Sequence, residues 1–231
     1  MSAVWIAVVA AALAAALGGA ALAWWRRAGD GRRAAARISN LEDSTSVDGG
    51  TGAVRSLQTA DLVLEERALR EIWSPMHLER LARTYWRFLT RVTLGLIRVR
   101  YTEGERSLVL VTWPLEVMSF LAPEYEMDPS RGLVRWRIAR GLLVAKRGYG
   151  RGYLQIEVRR SPAEDPALVR LHVEIEVANF YPSIASGLGR WLYELTQSRI
   201  HVLITHGFLR SLERLDLAES KVGRLAPQDT T

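Results

Sequence analysis

Cysteine is absent from this 231-residue chain. That excludes a disulfide scaffold, a thiolate zinc site and a cysteine nucleophile. Lysine is almost as scarce: of 31 basic residues only Lys146 and Lys221 are lysine, and the rest are arginine. A phosphate-binding loop needs a Gly-Lys-Ser/Thr run, and none occurs; nor does a Gly-x-Ser-x-Gly nucleophile elbow. The third scarcity is local. Residues 4 to 25 contain no charge, and Arg26-Arg27 follow at once.

Twenty-two residues make a helix of about 33 Å, enough for a hydrocarbon core of about 30 Å. Trp5 lies near one end and Trp24-Trp25 near the other, where amphipathic rings meet the headgroups. Residues 1–27 therefore read as a retained single-pass anchor with the lipid bilayer as its partner. A cleaved signal peptide is the rival, with Ala21-Leu22-Ala23 as its small-x-small site. Arg26, Arg27, Arg32, Arg33 and Arg37 follow the span. The positive-inside rule then places the C-terminal bulk in the cytoplasm at the cell membrane. The same arginines could touch anionic lipid headgroups.

Residues 28–56 begin basic and continue poor in large apolar groups, which predicts a flexible linker. Residues 57–217 read as the folded domain and 218–231 as a disordered tail. The short membrane-proximal stretch 26–37 alone carries five arginines against one aspartate, while between 61 and 220 there are 23 basic and 20 acidic side chains, a net +3. This near balance argues against nucleic acid as a partner. Lys146, Arg147, Arg151, Arg159 and Arg160 could cluster at one end of a hairpin and face acidic headgroups.

Within the domain, Ser74 can cap a helix, Pro75 suits its first turn, and Leu78, Leu81, Tyr85, Phe88 and Leu89 recur at helical spacing. Residues 57–73 fit helix and strand alike. The period then becomes two, with strands expected over 94–101, 107–113, 115–121, 133–144, 153–160 and 169–177, Gly141 as a bend and 148–152 as a turn. The gaps are too short for crossover helices, so the pairing is antiparallel. Ile184, Leu188, Trp191, Leu195, Val202, Leu209 and Leu212 form the stripe of one long final helix.

Helical region, hairpin-joined strands and a long last helix, together with Val134-Arg135-Trp136-Arg137, the 148–152 turn and the 171–177 strand running through Asn179-Phe180-Tyr181-Pro182, make 60–217 resemble the helix-grip domains of the START-like (SRPBCC) superfamily. The whole also resembles membrane-anchored proteins of high-GC bacteria. The resemblance implies an α+β fold: a curved antiparallel sheet of six or seven strands packed on the long C-terminal helix. It also expects an opening strand before the first helices, a part that 61–68 fill poorly. It further implies a cavity for a lipid or other apolar small molecule, with Trp113, Trp136, Tyr153, Phe180, Trp191, Tyr193, Glu194 and His201 as ligand-binding candidates.

Chemistry has little to stand on. His201 and His206 are five apart on a helix and diverge, and His172 shares the polar parity of its strand, so no metal is expected. Glu194 and His201 are the one pair that could orient a ligand or catalyse, as in cyclase- or hydrolase-like relatives. No cofactor is implied. The readings in contention are an apolar-ligand carrier, a filled protein-binding or structural module, and an enzyme.

Overall fold

Alternating burial runs through most of the domain. The computed structural model describes residues 36–93, 95–110 and 115–183. Among these, nine strands and two α-helices appear in the order β1 (Ala36–Val47), β2 (Val54–Glu65), α1 (Glu66–Ile72), α2 (Pro75–Val92), β3 (Ile97–Tyr101), β4 (Glu105–Leu110), β5 (Leu115–Leu121), β6 (Glu124–Met127), β7 (Arg131–Arg140), β8 (Tyr153–Pro162) and β9 (Leu168–Phe180), with a single 3-10 turn at Lys146–Gly148 between β7 and β8. All pairings are antiparallel, and the sheet runs β1-β2-β9-β8-β7-β5-β4-β3, with β6 paired to β7 beside that path. The architecture is α+β and broadly helix-grip-like: one multi-strand antiparallel sheet with helices on one face. The expected C-terminal helix and the expected membrane span lie outside the described residues. Among the described residues, no helix is long and apolar enough to cross a membrane.

The linker expectation is corrected here. Residues 36–56, which fall within the expected flexible linker, build β1 and the start of β2. β1 is an edge strand rich in polar residues, ordered by its backbone ladder to β2 and by Ile38 and Leu41, which pack half-buried against the core. Asp48 closes the hairpin, its Oδ1 accepting from the Gly50 and Thr51 amides and the Thr51 hydroxyl. β2 is the opening strand that the resemblance called for. Its inward residues are Val54, Ser56, Gln58, Ala60, Leu62 and Leu64, half of them polar or small, which blurs the alternation. Its neighbour β9 buries Val169, Leu171, Val173 and Ile175 between polar residues as the sequence led one to expect. The gap between the strands expected at 115–121 and 133–144 also contains a strand, β6, folded back onto β7.

Ser74 caps α2 as expected: its Oγ accepts from the His77 amide, and Pro75 opens the helix. We expect Ser74→Ala to cost about 1 kcal/mol, read as a lower denaturant midpoint at unchanged slope. α2 lies on the face defined by Gly132, Val134, Trp136 and Ile138. There Trp86 stands 5.1 Å from Trp136 and 5.2 Å from Phe120, ring centre to ring centre, and 5.2 Å from Tyr85. Edge-on and tilted aromatic packing of this kind fills the middle of the core.

Candidate functional site

α1 and the first turns of α2 do not close completely on the sheet. They leave an apolar cavity of about 80 Å³ bounded by Leu62 and Leu64 of β2, Leu69 and Ile72 of α1, Trp73, Leu78 and Leu81 of α2, Met127, Gly132, Val158, Leu171 and Val173. Two polar side chains reach it, Ser74 and His77, and they bond to each other through Oγ and Nδ1 at 2.8 Å. Burial first, then the nearby Arg80 charge, holds His77 below the ordinary imidazole value. The lining is therefore uncharged at neutral pH. The lining residues that are only half-buried, Ile72, Trp73, Ser74, His77 and Met127, mark the mouth, where the Trp73 indole Nε1 donates to the Asp128 carbonyl at 3.1 Å. The volume suits a short alkyl segment. It is smaller than the roughly 300–1,000 Å³ that encloses a whole small-molecule ligand.

The opposite face of the sheet carries a connected polar ladder. Asn40 donates to Asp61, Asp61 meets His172 Nδ1 at 2.7 Å, and His172 Nε2 meets Glu174 at 3.2 Å. Arg159 bridges Glu174 and Glu157, and Arg131 grips Glu157 through Nε and Nη2. Burial opposes ionisation of Asp61, yet the bonds from His172 and Asn40 outweigh it and hold the carboxyl below its usual value. Every member of this ladder has its partner within the sheet, so it braces β2, β9, β8 and β7. Among the described residues no group of three His, Asp or Glu side chains is placed to hold a metal ion.

Of the residues chosen from sequence, Trp136 and Phe180 are buried on the helix-covered face, at 1% and 2% exposure. Neither borders the cavity; Trp136 is held in the Trp86–Phe120 cluster. Tyr153 is not brought together with them. It stands one residue from Leu154, the partner of Trp136, and so projects from the polar face. There its hydroxyl donates to Glu176 at 2.9 Å and Arg135 stacks on its ring. Trp113, Trp191, Tyr193, Glu194 and His201 lie outside the described residues, as do Arg26, Arg27, Arg32 and Arg33. Arg37 is an exposed residue of β1. The suggested basic cluster does not form. Arg159 and Arg160 sit at the far end of β8 from Lys146, Arg147 and Arg151, and both are engaged by carboxylates, Arg160 by Glu66. None of the fourteen residues that line the cavity, Trp73, His77 and Met127 among them, is one of the ligand-binding candidates read from sequence. The Trp-Ser-Pro break between two helices was the available signal for them.

No family model matches the chain, and no curated protein matches it. Solved structures similar to it include a protein from Arthrobacter aurescens, at 12% identity over 74% of this chain and 88% of the other, with a TM-score of 0.31. Human STARD10 matches at 10% identity over 75% and 74%, with a TM-score of 0.27. The lipid transfer and protein localization domain of human StarD13 matches at 11% over 77% and 88%, also with a TM-score of 0.27. At these scores the reading of the site rests on the chain's own geometry.

Proposed function

We propose that the chain is a membrane-anchored binding domain for a lipid or other apolar small molecule, held at the bilayer by residues 4–25 with the domain on the cytoplasmic side. The observation that carries the ligand half is the uncharged cavity beneath α1 and α2, apolar except for the Ser74–His77 lip. The uncharged 22-residue run and its arginine flank carry the membrane half. The described walls take one alkyl segment of the ligand, with a polar group near Ser74 and His77. A second reading, a membrane-tethered protein-binding module with a filled core, draws on the packed Trp86, Phe120 and Trp136 cluster.

Gly132→Val tests the two. A Cβ at 132 meets Leu78 Cδ1 at 3.5 Å, an ordinary contact, so the larger side chain enters the cavity without moving backbone. Valine also suits a strand. The expected result in native mass spectrometry of the full chain is a retained apolar species, depleted about tenfold in the variant, a loss of about 1.4 kcal/mol of binding. The thermal midpoint is expected to hold or rise. Lipid adhering to the anchor alone would be equal in both proteins. Equal retention therefore removes the ligand reading and leaves the filled module.

A further inference from the structure

We infer that the α1–α2 corner rests on the bilayer and that the cavity mouth faces it. This rests on the anchored reading above. With β1 beginning at Ala36, the link from the end of the uncharged run is only residues 26–35. Ten residues reach at most about 36 Å. A free linker ending at residue 56 would have let the domain tumble; a link of ten residues holds one end of it close.

The end it holds is defined by register. Ala36 pairs with Leu64, which pairs in turn with Val169. Leu64 lines the cavity, and α1 begins two residues later. The β6–β7 turn at Asp128, which receives the Trp73 indole, lies at this same end. The Val47–Val54 end of the hairpin, and the 148–152 turn beyond the other end of β8, are about 40 Å away along a twelve-residue strand. At the near end the chain shows water its apolar side chains. Met76 is 48% exposed, and Ile72 and Trp73 are half-buried beside it. An indole whose N–H is satisfied by backbone at the edge of an apolar tip suits the headgroup boundary. Exposed Arg37, Arg67, Arg70 and Arg170 are balanced there by exposed Glu65, Glu71, Glu164 and Asp165, so the contact is apolar and needs no anionic lipid. The basic residues Lys146, Arg147 and Arg151 point to the other end and take no part.

The missing cysteines make the test direct, because each introduced thiol is unique. Met76→Cys and Tyr149→Cys, both at exposed positions, are labelled with an environment-sensitive fluorophore in the full chain, reconstituted in phosphatidylcholine vesicles containing nitroxide-labelled lipid. Glu71→Cys serves as a second probe of the same corner should position 76 disturb the fold. The expected result is a blue-shifted, lipid-quenched label at 76 and 71 and a water-like label at 149. A chain that floats with the vesicles while 76 and 71 remain water-like overturns this placement and leaves the anchor and the ligand standing. A chain that does not float overturns the anchor, and the placement falls with it.

Discussion

Replacing Gly141 with alanine is expected to cost the domain about 3 kcal/mol or more, the upper range for a single backbone-strain site compounded by overlap. Two independent features meet there. The residue has φ of 143°, a region that side-chain-bearing residues rarely enter. A Cβ would also lie 2.5 Å from the Cα of Met118 and from the Val117 carbonyl oxygen. Both are backbone atoms of β5, so no rotamer change relieves the contact. The position matters because β7 leaves its ladder here. Ser119 still pairs with Arg140, while Leu142 and Leu143 turn back to the carbonyls of Glu116 and Val117. Relief requires β5 and β7 to part, which loosens Phe120 from Trp86. Chemical denaturation of Gly141→Ala against wild type measures the loss. A change below about 1 kcal/mol would mean that the close approach is not maintained in solution.

Gly141 was legible in the sequence as a bend, and so were the cap at Ser74, the turn at 148–152 and the alternation of β9. In each case one local rule and the tertiary structure agree. Legibility failed where stability comes from a neighbour. β1 packs only Ile38 and Leu41 against the core and takes the rest of its order from the ladder beside it, so its composition resembles a linker. Gln58 and Ser56 face the helix-covered side of β2 and broke a period that Leu62 and Leu64 only hinted at. The site was less legible still. Aromatics were chosen as cavity walls, yet Trp136 is packed against Trp86 and Tyr153 stands on the other face, because large rings fill space before they line it. The cavity arises instead where short α1 meets α2 across Trp73 and Ser74, a gap between elements that no single residue type announces.

The second large effect lies on the polar face. Glu157 is buried at 3% exposure, yet it is a carboxylate surrounded by donors: Arg131 twice, Arg159 and Gln155. Burial by itself would raise its pKa; the Arg131 hydrogen bonds and the Arg159 and Arg131 charges overcome that and hold it below the ordinary carboxylate value near 4.5. Glu157→Ala leaves two guanidinium groups and an amide without their shared acceptor. Arg131 and Arg159 keep 38% and 53% of their side chains exposed and can rehydrate, so the expected loss is about 2–3 kcal/mol, below that of a fully buried pair. Glu157→Gln keeps the shape and one acceptor oxygen, so about 1–3 kcal/mol is expected. The pH dependence separates charge from packing. A carboxyl whose folded value lies below its unfolded one contributes stability above the unfolded value and loses it as pH falls through the folded value. Wild type is therefore expected to lose stability more steeply than Glu157→Gln between neutral pH and the acid side of 4.5. Parallel curves for the two proteins would show that Glu157 is held by packing and that its charge contributes nothing to joining β7, β8 and β9.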